Sequence, residues 1–252
     1  MDHVPPSLPS GLPSQRRHHA LVALLAVTSG SLDALGFLAL GGVFASVMTG
    51  NLVLLGLGAG TRSGSLSAHA LVALAGYVVG VTVGARATRA TRATRAGQSP
   101  AGRSVVAPGW SRRLHALVAV ELALVVAFAV GWETVRSRHS VVAQLVLIAL
   151  AAGAMGLQSA TMRVSTGSSR STTYLTGTLT GAVMALAGGS RPRDEWPDLT
   201  VLAAALAGAV LAGAVLTARS SIAPVVPLAA LVGALLVGRT LTAEVDVGPP
   251  TD

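Results

Sequence analysis

Apolar residues occur in long runs that short polar stretches separate. A helix that crosses a bilayer needs about 20 consecutive, mostly apolar residues. Because these runs are apolar on nearly all sides and too long for the strands of a membrane barrel, they predict lipid-immersed α-helices. Eight stretches reach or approach the required length: Ala20–Gly42, Val43–Gly60, Ser67–Ala85, Leu114–Trp132, Ser140–Met162, Thr172–Gly189, Leu199–Thr217 and Ile222–Val237.

The pattern therefore predicts an all-α, polytopic transmembrane helix bundle of six to eight helices. Residues 1–19 are rich in Pro, Ser and Gly and predict a disordered tail, and residues 241–252 predict a polar tail. Between them, residues 20–240 form one transmembrane domain. Only two glycines separate the first two stretches. Either both stretches cross the membrane, or one of them re-enters it without crossing.

The composition agrees with this prediction and excludes other classes. The chain is 52% hydrophobic and 11% charged, against about 25% charged in an average soluble domain. It has no cysteine, which excludes a disulfide-stabilised secreted scaffold. The basic residues are all arginine and lie between the apolar runs with few aromatic residues, so we expect no nucleic-acid binding. The lysine-free, alanine-rich composition favours a bacterial source and hence a multi-pass protein of the inner membrane.

The longest connection, Arg86–Arg113, is basic throughout. It has no acidic residue and contains the repeat TRATRATRA. The positive-inside rule predicts that this loop is cytoplasmic. Its arginines are interpreted either as a topology signal in a solvated linker or as contacts to anionic lipids, at Arg86, Arg89, Arg92 and Arg95. Eight full crossings would put both termini outside, whereas one re-entrant segment would bring the N-terminus to the cytoplasm.

Several polar residues interrupt the apolar runs, and intramembrane polar groups are costly enough to be candidates for function. Asp33 follows a run of Ser, Gly and Thr residues, which predicts local unwinding of the first helix. Thr49, Gly50 and Asn51 interrupt the second stretch with hydrogen-bonding groups and a close-packing glycine. Each of these sets either lines a solute site or holds helices together.

Glu121 lies close to the middle of the fourth stretch. It is a candidate proton relay, with a structural pair as the alternative. No cluster has the spacing of metal ligands, and no nucleophile–base set or phosphate-binding loop occurs, so we expect no enzyme activity, metal or cofactor. Small residues every four positions predict close helix packing, at Gly76, Gly80 and Gly84, at Gly177 and Gly181, and at Ala204, Gly208 and Ala212.

A weak internal repeat relates two parts of the chain. GSLDALGF followed by ASVMTGNLVLLG resembles MGLQSATM followed by TTYLTGTLTGAV, at an offset of 125 to 127 residues. The halves are about 20–132 and 140–237. Four crossings in each half would keep its orientation, with a pseudo-twofold axis along the membrane normal. Asp33 would then correspond to Gln158, and the two Thr-Gly motifs, at Thr49 and at Thr176 and Gly177, would face a shared cavity.

At these same residues the sequence resembles a known group. SGSLDALGFLALGGVFASVMTGNLVLLG, AMGLQSATMR and TTYLTGTLTG are similar to the YoaK-like family of bacterial multi-pass membrane proteins, a domain of unknown function. The resemblance covers roughly residues 20–240 and implies a polytopic inner-membrane protein. It implies no substrate and no reaction.

The sequence favours a transporter or permease for a small solute or ion of unknown identity. The alternative is a non-transport membrane module, either lipid-binding or an assembly scaffold. Transport predicts polar groups that water reaches at mid-membrane, and a scaffold predicts that the same groups pack against one another. The predicted substrate-binding residues are Asp33, Thr49, Gly50, Asn51, Gln158, Thr176 and Gly177.

Overall fold

The computed structural model describes residues 12–97, 112–138, 140–165, 175–189, 191 and 195–246. Within these ranges the chain is α-helical with no strand, which confirms the predicted fold class. A short 3₁₀ helix, Ser220–Ile222, joins the last two helices. The eight α-helices are α1 Leu12–Ala39, α2 Met48–Gly60, α3 Gly64–Gly97, α4 Arg112–Arg138, α5 Val141–Ser165, α6 Leu175–Ala187, α7 Trp196–Ala218 and α8 Val225–Asp246.

Six of these helices are long and apolar enough to cross a membrane, and α2 and α6 are not. Each short helix has 13 residues, or about 20 Å at 1.5 Å per residue, against a hydrocarbon core of about 30 Å. The six long helices lie within the predicted number of six to eight, and Met48–Gly60 and Leu175–Ala187 are shorter than a crossing helix. The chain has three long helices and one short helix in each half.

Helix directions follow from contacts between residues of neighbouring helices. Gln158 of α5 bonds to the carbonyl of Leu25, and Gly36 lies against Ile148, so α1 and α5 are antiparallel. Small residues spaced along α3 meet successive residues of α5 in the same order, so these two helices are parallel. The N-terminal parts of α1 and α7 line one groove, and Leu38 meets Gly213 further along, so this pair is parallel too.

The remaining long helices complete the arrangement. Trp132 of α4 donates to the Ser220 carbonyl at 2.7 Å, and His115 lies near Arg239 of α8, so α4 and α8 are antiparallel. Thus α3, α5 and α8 run one way, and α1, α4 and α7 run the other. The predicted repeat axis along the membrane normal was wrong, because α1 and α5, which begin the two halves, point in opposite directions.

Six helices pack side by side in a row, and the other two pack on one face of it as a second layer. The row runs α2, α3, α5, α1, α7, α6, and α4 and α8 cover α5 and α1. Large apolar side chains on the outside of α3 and α7, such as Val78, Val79, Leu206 and Val210, are exposed, as expected for a surface that faces lipid. The buried core lies where α1, α4, α5 and α8 meet.

Several segment boundaries differ from the prediction. Helix α1 begins at Leu12, inside the predicted tail, and α8 continues to Asp246. Helix α3 continues to Gly97, so the TRATRATRA repeat is helical rather than a linker. Threonine and alanine separate its arginines, and neither breaks a helix. Residues 1–11, 98–111 and 247–252 lie outside the described residues.

Candidate functional site

The chain turns back into the bundle after α1. Gly41 and Gly42 have φ angles of 88° and 76°, a left-handed conformation that glycine adopts at little cost. Ser46 then reaches the side chain of Asp33, which lies six residues, or about 9 Å, before the end of α1. Because α2 begins at Met48, its N-terminus lies at that depth in the bundle. Residues 40–47 therefore form a re-entrant segment, and helix α2, which follows it, is a half-helix.

Asp33 fixes this re-entrant segment. The Ser46 N–H donates to Asp33 Oδ1 at 2.7 Å, and the Ser46 hydroxyl donates to Asp33 Oδ2 at 2.5 Å. The Ser29 hydroxyl donates in turn to Ser46 Oγ at 3.0 Å. All three side chains are buried. Both carboxylate oxygens of Asp33 therefore have hydrogen-bond donors inside the bundle. The Ser46 N–H, which would bond to a backbone carbonyl in a helix, bonds to the Asp33 carboxylate instead.

Asn51 holds the same segment from the other side. Its Oδ1 accepts from the Phe44 N–H at 2.9 Å, and its Nδ2 donates to the Phe44 carbonyl at 2.7 Å. Asn51 is fully buried, and the Phe44 ring stacks on Phe37 of α1. The side-chain amide thus replaces the backbone partners that Phe44 would have in a helix.

Helix α1 itself is continuous, so the predicted unwinding before Asp33 was wrong. The hydroxyls of Thr28 and Ser31 donate to the carbonyls of Leu24 and Val27, four residues earlier, and this local bonding is compatible with a helix. The Ser31 hydroxyl also lies 3.1 Å from the Gly208 carbonyl of α7. The break in regular structure falls at residues 40–47 instead.

The structure places the other predicted site residues in three different environments. Gln158 is buried and donates to the Leu25 carbonyl at 3.1 Å. Thr49 is exposed on α2, while Gly50 lies beside the Phe44 ring. Thr176 and Gly177 are exposed on α6. Asp33 and Asn51 are brought together through the re-entrant segment, and the others are not.

The predicted meeting of the two Thr-Gly motifs was wrong. Helix α2 packs on α3 and helix α6 packs on α7, at opposite ends of the row of helices. The α1–α5 pair separates them.

Glu121 is buried in α4, 1% exposed. Neither of its carboxylate oxygens has a hydrogen-bond partner among the described residues. The predicted structural pair is therefore not formed through a hydrogen bond to any residue that the structure describes.

Sequence reasoning assigned no site role to five residues that take part in the polar interior. Ser46 and Ser29 complete the Asp33 network, and Tyr77 of α3 donates to Ser159 of α5 at 2.9 Å. His69 is buried between Ser65 and Gln144 and lies against Gly41. The polar Ser46 inside an apolar stretch was the available signal for the first of these.

Comparison with known proteins agrees with the transmembrane fold. Residues 21–237 match the family described as "Protein of unknown function (DUF1275)". UPF0700 transmembrane protein YoaK of Bacillus subtilis (strain 168) is 43% identical over 65 residues, which cover 26% of this chain and 29% of that protein. No solved structure matches. The chain is an integral membrane protein that belongs to the DUF1275 family, in agreement with the YoaK-like resemblance.

Proposed function

We propose that this chain is a transporter for a small polar solute or ion, built from two inverted halves with a site where α1 and α5 cross. The observation that carries the proposal is one helix-packing arrangement that occurs twice in opposite orientations. Inverted repeats with short helices that end at mid-membrane are characteristic of many secondary transporters, in which the halves rock around a central site.

The repetition extends to individual residues. A Cβ at Gly156 would overlap the carbonyl of Tyr77 on α3, and a Cβ at Gly30 would overlap the carbonyl of Ala205 on α7. Gly30 and Gly156 are 126 residues apart, and Tyr77 and Ala205 are 128 apart. Helix α1 thus packs on α7 as α5 packs on α3.

A second pair of contacts has the same offsets. A Cβ at Gly80 would meet Gly153 and Leu157 of α5, whereas Gly208 lies against Val27 and bonds to Ser31 of α1. The two halves also share their neighbours, since α8 packs on α1 as α4 packs on α5. Three long helices per half reverse the direction of the second half, which supports an inverted repeat.

The same offsets revise the predicted pairing of polar residues. Asp33 lies three residues after Gly30, and Ser159 lies three residues after Gly156. The packing therefore pairs Asp33 with Ser159 rather than with Gln158. One half contributes an acid and the other a hydroxyl, an asymmetry suited to a single cation or polar solute.

The distribution of arginine supports an orientation in the membrane. We define the arginine end as the end that carries the N-termini of α1 and α4 and the C-termini of α3, α5 and α8. Among residues in described segments it carries Arg16, Arg17, Arg86, Arg89, Arg92, Arg95, Arg112, Arg113, Arg163, Arg191 and Arg239, and the opposite end carries Arg62, Arg136, Arg138 and Arg219. The positive-inside rule places the arginine end, with the N-terminus, in the cytoplasm of a bacterial cell.

Transport is tested with purified full chain in liposomes. We expect uptake of at least one member of a panel of monovalent cations, amino acids and polyols above that of empty liposomes. Asp33→Asn keeps the shape of the side chain and removes its charge, so uptake should fall at least tenfold. Asp198→Asn, in the first turn of α7, is the matched control and should transport normally. Uptake equal to that of empty liposomes for every solute would reject the proposal.

The alternative is a scaffold, and it is favoured by the saturation of both Asp33 oxygens by Ser46. Cysteine accessibility separates the two functions in this cysteine-free chain. If the site opens to water, Ser29→Cys should react with a small hydrophilic thiol reagent in liposomes, and Ala26→Cys, equally buried on the same helix, should not. Equal protection of both cysteines would favour the scaffold.

A further inference from the structure

Glu121 lies in an apolar stripe on α4. The buried residues Leu114, Val118, Val125, Phe128 and Trp132 recur at intervals of three and four residues on either side of it. This spacing puts them on the one face of α4 that packs against α5 and α8. Glu121 is thus a carboxyl group where the repeat of the stripe calls for an apolar residue.

The depth of Glu121 follows from the register of its neighbours. It lies eight residues, or about 12 Å, below Arg113 at the start of the span. Gly131 of α4 meets Leu147 of α5. Counting equal distances along this antiparallel pair brings Glu121 level with Leu157 and Gln158, and Gln158 bonds to the Leu25 carbonyl of α1.

Among the residues that the structure describes, no charged residue lies level with Glu121 on the elements packed against α4. Arg163 of α5 is five residues beyond Gln158, and Arg239 of α8 lies against His115, six residues from Glu121. The other titratable or charged groups of α4 and its neighbours are Arg112, Arg113, Glu133, Arg136, Arg138, His69, Tyr77, Arg86, Arg89, Arg92, Arg95, Arg219, Glu244 and Asp246.

A carboxylate in such surroundings would have neither a donor nor a counter-charge. Burying an unpaired charge in a low-dielectric interior is far more costly than burying the neutral acid. Asp33 avoids this cost through its bonds to Ser46, whereas Glu121 has no partner among the described residues. The two intramembrane acids are therefore built differently.

We propose that Glu121 is a proton-binding site that couples transport to a proton gradient. The carboxyl is neutral in the present conformation. When α4 separates from α5 or α8, water reaches Glu121, the O–H bond breaks and the proton passes to water; reprotonation from the other side of the membrane closes the cycle. This inference rests on the proposed transport function, because a proton-binding site without transport would couple nothing.

Infrared spectroscopy of the purified full chain in liposomes tests the site without a known substrate. We expect the carbonyl band of one protonated glutamic acid at neutral pH, which shifts in D₂O and disappears reversibly as the pH is raised. Glu121→Gln should remove the band. Glu133→Gln, an exposed glutamate on the same helix, should retain it. If Glu121→Gln fails to fold, glutamate labelled with ¹³C shifts the band in the wild-type chain and distinguishes it from that of Asp33.

Two results would overturn the proposal. Absence of the band at neutral pH would mean that Glu121 is charged, and a band unaffected by D₂O and by pH would mean a sealed structural acid. These outcomes do not depend on uptake. A band that titrates in a chain that transports nothing would reject the transport function while the proton site stands.

Discussion

At the residue scale, the two intramembrane acids have different environments, and only part of the difference is visible in the sequence. Asp33 follows a run of Ser, Gly and Thr residues, whereas Glu121 stands alone in an apolar run. Asp33 lies within reach of the segment that returns after Gly41 and Gly42, so it acquires donors. Glu121 has no hydrogen-bond partner among the described residues. The difference arises from the path of the chain between α1 and α2.

The structural role of Asp33 can be separated from a role in transport. Asp33→Ala removes the acceptor of the buried Ser46 N–H, which costs about 1–3 kcal/mol when a buried donor is left unpaired. We expect the midpoint of thermal unfolding in detergent to fall clearly for Asp33→Ala and little for Asp33→Asn, whose amide oxygen still accepts. Asp198→Ala serves as the control. A large loss of stability in Asp33→Asn would instead mean that the charge itself holds the segment.

At the element scale, close helix packing depends on a few glycines. Gly80 and Gly208 each lie against the backbone of the partner helix, so added atoms displace whole helices rather than side chains. Spacing in the sequence indicated these faces correctly on α3 and α7. It also indicated Gly181 on α6, where a Cβ would meet no atom within 4 Å. A pattern of small residues identifies surfaces able to pack closely, but not which of them have a partner.

Substitution by alanine tests this distinction. Gly80→Ala and Gly208→Ala should both destabilise the bundle by about 1–3 kcal/mol or more, because the new methyl group overlaps backbone. Gly181→Ala should be neutral or stabilise by up to about 1 kcal/mol through helix propensity. Unfolding in SDS measures all three. Equal effects at the three positions would contradict the assigned contacts.

Helix type and location were predictable because hydrophobicity alone determines them in a membrane, and the short helices were not. Met48–Gly60 is as apolar as a crossing helix. The local sequence of residues 43–47 does not predict that these residues are non-helical. They leave the helix because Asp33 and Asn51 satisfy their backbone groups. The hydrogen bonds of Asn51 and Asp33 to these residues join positions 7 and 13 residues apart. They depend on a neighbouring helix, so the hydropathy of one segment does not predict them.

At the scale of the whole molecule, six crossings remove the conflict that eight would create. The N-terminus of α1 and the C-terminus of α3 lie at the same end, so Arg16 and Arg17 join Arg86 and Arg89 there. The paired short helices contribute no net crossing. The basic connection and the N-terminus are therefore compatible with a single orientation.

This orientation has a direct test in intact cells. A cysteine at position 99, in the connection between α3 and α4, should be protected from a membrane-impermeant thiol reagent. A cysteine at Ser221, exposed at the opposite end, should react. Permeabilised cells, in which both should react, are the control. Labelling at position 99 and protection at Ser221 would invert the orientation.

The uneven distribution of arginine has a consequence for the resting protein. In the proposed transporter, two identical inverted halves would have inward-facing and outward-facing conformations that are related by a twofold rotation in the membrane plane and equal in free energy, and so equally populated. The arginines follow the membrane side and not the repeat: Arg163 lies in the last turn of α5, whereas the last turn of α1 has no basic residue. Each arginine at an anionic surface contributes about 1 kcal/mol. In the proposed transporter, surface charge therefore shifts the balance between the two conformations to the extent that they differ in how many arginines contact that surface.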